Sequence, residues 1–214
     1  IVTISPGIGF ARIFASLGAA AVVEGGQTMN PSTQEILNAF ENLPTDKVII
    51  LPNNKNILMA AKSAAEMSVK DVRVIPTKAI PQGIAATLRF MPGQALDEVE
   101  NEMLEVINEI ECGEITTATR DVEIDGIQVN KGEIIALHNG KLVASANNLE
   151  EGCYEFLKSA NAEDYELITL FYGDNISKKE AHNIAYNIRN QYPDQIVEIQ
   201  HGGQPHYQFI ISIE

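Results

Sequence analysis

The sequence predicts two fold classes in succession, an α/β half followed by an α+β half. Three observations predict this. Short apolar runs alternate with amphipathic helical stretches up to Phe90; the breaker Met91-Pro92-Gly93 and a long apolar-striped helix follow; alternating runs punctuated by turn signals fill the remainder. The divide is expected at the breaker. Residues 1–92 form an α/β subdomain with a mainly parallel sheet and flanking helices. Residues 93–214 form an α+β subdomain with a mainly antiparallel sheet and helices, opening on a linking acidic helix.

In the first half, residues 1–5 read as a short buried strand, and Pro6-Gly7-Ile8-Gly9 opens a helix that runs to about Leu17. Residues 20–23 are a second strand. The helix after Gly25-Gly26-Gln27-Thr28-Met29-Asn30-Pro31 is capped by Ser32 or Thr33, with Glu35 placed for a capping box. It buries Ile36, Leu37 and Phe40. Residues 47–51 and 71–75 are further strands, with helices over 54–67 and 80–90. Apolar strands separated by such helices imply a parallel sheet covered on both faces.

Residues 95–112 read as one helix, with Leu96, Val99, Met103, Val106, Ile107 and Ile110 on one stripe. Beyond it, residues 115–124 alternate, Asp125-Gly126 is a turn, and Asn139-Gly140 between residues 133–138 and 141–145 is the strongest hairpin signal in the chain. A helix over 149–160, a strand over 166–172, a helix capped by Ser177 with Glu180 in a second capping-box arrangement, and strands over 196–200 and 206–213 close the pattern.

The charge is lopsided. Residues 1–90 carry eight Lys/Arg against six Asp/Glu, and residues 91–214 carry seven against twenty-three, net +2 and −16 within a total of −14. Such a field steers basic partners and repels anionic ones. Nucleic acid and anionic lipid are therefore poor candidates, no nucleic-acid partner is expected, and a basic protein surface is favoured; acidity that only maintains solubility is the alternative. The chain is long enough for one large core or two modest ones. No apolar run approaches the roughly 18–20 residues of a membrane span, so no direct membrane insertion is expected. The chain opens at Ile1 in an apolar run without a signal peptide, and is expected to be the C-terminal piece of a longer protein. Cys112, after a helix, and Cys153, inside one, read as buried thiols of a reducing, cytoplasmic compartment rather than as metal ligands; no metal and no cofactor are expected.

Three motifs invite chemistry. Pro6-Gly7-Ile8-Gly9 could meet a phosphate at a helix N-terminus, but it lacks both the third glycine of a dinucleotide fingerprint and the Gly-Lys-Ser/Thr of a P-loop, and reads as a tight turn. The loop holding Gln27, Thr28, Asn30 and Ser32 lies at the carboxyl end of a strand, where open α/β sheets bind ligands; its amides and hydroxyls allow a small-anion site without any general base. Of the four histidines, only His201 and His206 form a local pair, in a Gly/Pro loop without a carboxylate.

The more specific signal is the acidic helix. Glu98, Glu102, Glu105 and Glu109 fall at i, i+4, i+7 and i+11 opposite the apolar stripe, and no Lys or Arg occurs between Arg89 and Arg120. Like charges at this spacing, with Glu109 and Glu111 toward the negative end of the helix dipole, oppose helix formation. A cationic partner would relieve that strain; a plain solvated face is the alternative. Asp97, Glu111 and Glu114 adjoin the four glutamates as further contact candidates.

The runs Ile1-Val2-Thr3-Ile4-Ser5-Pro6-Gly7-Ile8-Gly9 and Val22-Val23-Glu24-Gly25-Gly26-Gln27-Thr28-Met29-Asn30-Pro31-Ser32-Thr33 resemble the C-terminal region of the bacterial fatty acid kinase A subunit, and the resemblance covers essentially the whole chain. It implies that kinase domains lie elsewhere in the same chain. It also implies that the fatty acid, destined for acyl-phosphate and phospholipid synthesis, is presented by a separate DegV-type B subunit. The region also resembles the DegV fatty-acid-binding fold. Thr28, Pro31, Ser32 and Glu35 match that family's Thr-Ser-Gln-Pro-Ser-Pro-Gly-Glu loop, and His201-Gly202-Gly203 resembles its His-Thr-Gly loop. The second lipid loop departs from the family: Asn53-Asn54-Lys55-Asn56-Ile57-Leu58-Met59 carries none of the hydroxyls that would receive a carboxylate. The resemblance thus implies a non-catalytic docking module for the fatty-acid-loaded B subunit, with a degenerate lipid- or small-anion-binding module as the alternative.

Overall fold

The computed structural model describes residues 1–214, which divide into two compact units, Ile1–Ile110 and Glu111–Glu214. In the first, β1 (Val2–Ser5), β2 (Ala21–Glu24), β3 (Lys47–Leu51) and β4 (Asp71–Val74) form a wholly parallel sheet in the order β2-β1-β3-β4. The helices α1 (Ile8–Ser16), α2 (Thr33–Glu41), α3 (Leu58–Met67) and α4 (Ile80–Leu88) follow the four strands in turn, and α5 (Leu96–Val106) follows α4. Val2, Ile4, Val48 and Ile50 of the sheet pack with Ile36, Leu37 and Phe40 of α2 and Ala61 and Ala64 of α3. The predicted capping box opens α2: Ser32 Oγ accepts from the Glu35 amide (3.2 Å), and the Ser32 amide donates back to Glu35 Oε2 (2.8 Å).

In the second unit, β5 (Glu111–Thr117), β8 (Ile134–His138), β9 (Lys141–Ala146), β10 (Leu167–Tyr172), β11 (Ile196–His201) and β12 (Tyr207–Ile213) form a sheet in the order β11-β10-β12-β5-β8-β9. Every pair is antiparallel except β10–β11. The hairpin of β6 (Val122–Ile124) and β7 (Ile127–Val129) stands as a separate two-stranded sheet. Both hairpins turn on the predicted pairs, with positive φ at Asp125-Gly126 (51° and 80°) and Asn139-Gly140 (50° and 77°), as a tight right-twisted hairpin requires. The helices α6 (Leu149–Ser159) and α7 (Lys178–Gln191) supply Phe156, Leu157, Ile184 and Ile188 to the core against Ile115, Leu170, Phe209 and Ile211. Gly113 lets the Phe156 ring lie on β5: a β-carbon there would sit 2.6 Å from the ring.

The structure moves several boundaries. The acidic helix ends at Val106, with Ile107 as its cap, and residues 111–117 are strand, so Cys112 lies on β5 rather than after a helix. The units part after Ile110 rather than at Met91-Pro92-Gly93, because α5 packs on α4 and is tied to β4 through Arg73. The asymmetry of charge shrinks accordingly: eight Lys/Arg against twelve Asp/Glu in the first unit and seven against seventeen in the second, net −4 and −10. Finally, α3 begins at Leu58 rather than near Asn54, and only half of the second capping box forms, Ser177 Oγ accepting from the Glu180 amide (3.2 Å). Both cysteines are buried and free, and burial pushes the Cys153 thiol far up.

Candidate functional site

On α5, Val99, Met103 and Val106 face inward, and Asp97, Glu98 and Glu105 are exposed. The sequence places no cation within the helix, but the sheet supplies one. Arg73 of β4 reaches Asp97 (3.0 Å) and Glu100 (2.9 Å) while pairing with Asp71 on its own strand. These contacts, led by the hydrogen bond to Asp97, push the guanidinium pKa up. Glu102 is half-buried and accepts from Gln94 Nε2 (3.1 Å). The ion pairs of the helix are thus confined to Asp97 and Glu100, and Glu98 and Glu105 project into solvent.

The other three acidic candidates do not share that helix. Glu109 is exposed in the turn after it, its amide donating to the Val106 carbonyl (3.0 Å). Glu111 and Glu114 lie on β5 of the second unit. Glu111 Oε2 meets His138 Nε2 (2.5 Å) and accepts from Asn139 Nδ2 (2.7 Å), while His138 Nδ1 faces Ser159 Oγ (3.1 Å) and the ring stands edge-on to Phe156. Burial, with the charge of Glu114 nearby, pushes the Tyr207 phenol up.

The second candidate region lies at the carboxyl ends of the parallel strands. Its polar groups are largely spent on one another. The Gly25 amide donates to the Ser5 carbonyl (3.2 Å) and the Gly26 amide to the Met29 carbonyl (2.9 Å). Gln27 Oε1 accepts from Asn54 Nδ2 (3.0 Å), and Ser32 Oγ also donates to Glu35 Oε2 (2.7 Å). Thr28 and Asn30 are exposed. The Ser32 amide and then its hydroxyl hold the Glu35 carboxyl below its ordinary range.

Asn53, after β3, is buried in a left-handed conformation (φ 55°), which Asn tolerates better than most residues. Its Nδ2 donates to Thr3 Oγ1 (2.7 Å) and the Ile4 carbonyl (2.9 Å), and its amide to Thr77 Oγ1 (2.9 Å). The amide side chain lies over Gly83 of α4, where a β-carbon would meet Asn53 Oδ1 at 2.0 Å. Asn53 Oδ1 and Ser5 Oγ are buried without a hydrogen-bond partner.

In the second unit, His201 ends β11, 3.3 Å from Asp174 Oδ1 and tilted against the Tyr172 ring at 4.9 Å. The Gly202 and Gly203 amides both donate to the Tyr172 carbonyl (3.0 and 3.2 Å). No group of three or more His, Cys, Asp or Glu side chains is placed to hold a metal ion, and no helix is long and apolar enough to cross a membrane. Sequence reasoning misses Arg73, and it places Asn53 in the second lipid loop without its bonds to Thr3, Ile4 and Thr77. The one signal for Asn53 is an Asn-Asn pair that follows Pro52 at the end of an apolar strand, where Asn favours a turn.

The family model FakA-like_C, which describes the C-terminal part of proteins like the A subunit of fatty acid kinase, matches residues 1–214. The chain belongs to that family. Protein YloV of Bacillus subtilis (strain 168) is 41% identical over 214 residues, which are 100% of this chain and 39% of YloV. The chain therefore spans about two fifths of the length of the curated relatives it matches. Among solved structures, the DegV family protein Cg2579 from Corynebacterium glutamicum superposes with a TM-score of 0.69 at 18% identity, covering 99% of this chain and 95% of that one. The Streptococcus pneumoniae fatty acid kinase B3 protein loaded with linoleic acid superposes with a TM-score of 0.63 at 13% identity, covering 86% and 76%. These likenesses show the fold, which is DegV-like.

Proposed function

We propose that this chain is the non-catalytic module through which the larger, ATP-using component of a fatty acid kinase docks the fatty-acid-loaded, DegV-type B subunit, so that kinase domains elsewhere in the same polypeptide can form the acyl-phosphate. The observation that carries the reading is the outward row of α5. Glu98 and Glu105 stand exposed while the only cation paired with that helix, Arg73, serves Asp97 and Glu100. A basic surface on the partner supplies the missing charge. Asp97, Glu102 and Glu109 flank the contact, and Glu111 and Glu114 are the acidic candidates on the second unit.

The DegV-like fold supports the reading from the other side. The loops that would receive a fatty acid carboxylate have turned their donors inward, to Ser5, Met29, Glu35 and Thr3. A retained small-ligand site is the second reading, favoured by the unpartnered Ser5 Oγ and Asn53 Oδ1. Of those two atoms only the Ser5 hydroxyl can donate to an anion, and Asn53 Oδ1 opposes one.

Sedimentation of this chain with a fatty-acid-loaded B subunit, first in low salt and then in about 0.5 M salt where screening is short-ranged, tests the docking. A complex that loosens at high salt is the expected result. Failure to associate at either salt, with a fatty acid found by mass spectrometry in the purified chain, transfers the conclusion to the ligand site.

A further inference from the structure

Exposed large apolar side chains are mostly dispersed over this chain, but three fall in four consecutive residues. Leu88, Phe90 and Met91 are 61%, 37% and 61% exposed, between the last turn of α4 and the start of α5. Single apolar residues on a surface are ordinary, whereas several together mark a contact surface. The turn that presents them is well formed. The Arg89 and Phe90 amides donate to the Ala86 and Thr87 carbonyls (3.1 Å each), and the Gln94 amide donates to the Met91 carbonyl (3.3 Å). The bond from Gln94 Nε2 to Glu102 then fastens the turn to α5, whose first turn, six and seven residues on from Met91, carries exposed Asp97 and Glu98. An apolar knob with an acidic shoulder has the composition of an interface centre and its rim.

We propose that Leu88, Phe90 and Met91 form the apolar anchor of a docking surface for a protein partner that offers an apolar pocket edged by Lys or Arg. The proposal rests on the docking reading above and divides its labour: the acids of α5 govern encounter, and the anchor governs how long the complex lasts. Charge selects this occupant. With Arg73 taken up by Asp97 and Glu100, the exposed Glu98 and Glu105 and the half-buried Glu102 outnumber Arg89, the one cation in the turn, so a basic rim is attracted while anionic lipid and nucleic acid are repelled.

The test is made in the full-length protein, with the fatty-acid-loaded B subunit serving as probe and association and dissociation followed separately. Phe90→Ser combined with Met91→Ser is expected to raise the dissociation rate about tenfold or more, leaving the association rate and its salt dependence unchanged. Glu98→Lys combined with Glu105→Lys is expected to do the converse. Phe90→Leu, which keeps the apolar contact, retains slow dissociation; Ile124→Ser, at an exposed apolar site of the second unit, leaves both rates alone. Met91→Ser alone, outside any helix or strand, reads the same rate should the double variant lose its circular dichroism. Unaltered dissociation in a folded variant overturns the anchor and leaves the docking reading standing. Absence of binding by the unaltered full-length protein overturns both.

Discussion

The two candidate regions of the first unit use their polar groups in opposite ways. Along the carboxyl ends of β1–β4, amides, hydroxyls and the Asn53 side chain bond chiefly to one another, and two buried atoms are left over. Along α5, one arginine serves two of the acids, and Glu98 and Glu105 keep their charge in water. A surface whose groups are already satisfied gains little from a ligand. One that holds like charges together gains from any cation that approaches. The difference teaches that the loop's polar groups serve the fold, while two acids of α5 remain open to a cation.

The largest test of the contrast is Gly83→Ala. The new β-carbon falls 2.0 Å from Asn53 Oδ1, and Asn53 is pinned by its bonds to Thr3 and Ile4, so the residue cannot swing aside without losing them. Thermal unfolding should show a loss of about 1–3 kcal/mol; an unchanged melting temperature would mean that the loop tolerates an opening and retains room for a ligand. Reversal of charge at Glu98 and Glu105 should instead leave the melting temperature alone and, at low salt, slow association with the B subunit by about tenfold. Equal loss of stability and binding would erase the distinction between the two regions. Glu102 is a poorer choice for reversal, because its bond to Gln94 gives it a structural role as well.

Ser32→Ala sharpens the same contrast from the loop side. It removes the α2 cap, at a cost of about 1 kcal/mol, and should leave partner binding untouched. The smallest effect concerns pH. The Glu35 carboxyl is held below its ordinary value of 4.5 by the Ser32 amide and hydroxyl. Its stabilising contribution is therefore fully present above that value and is lost as the pH falls through the lowered one. In Glu35→Gln the acid limb of the stability curve should be slightly flatter; an identical limb would show that the box contributes nothing through charge.

Local rules make much of this legible. The Ser32/Glu35 box, the Asn139-Gly140 and Asp125-Gly126 turns and the start and end of β3 follow from residue types within a few positions of each other. Spacing alone makes the acidic helix too long, because Ile107 and Ile110 continue the apolar pattern of Val99, Met103 and Val106 past the true cap. Residues such as these satisfy a helix and a strand entry equally well. Arg73 and Asn53 escape for a different reason. Their partners lie 24 and about 50 positions away, so the sheet topology has to be known first. The acids of α5 can be named from their spacing, but which of them stay unpaired is a fact of packing.

The placement of β12 has a bearing on how the molecule is made. Tyr207–Ile213 is the last strand in sequence, yet it lies inside the second sheet, bonded to β10 on one side and β5 on the other. All the strands of the first sheet are in hand by Val74. On a ribosome adding about 5–20 residues per second, the first unit can settle while β5 waits on the order of 5–20 s for the strand that will cover its edge. Until then the edge of β5 that β12 covers has no strand partner, and β10, complete only at Tyr172, adds a second open edge late in that interval.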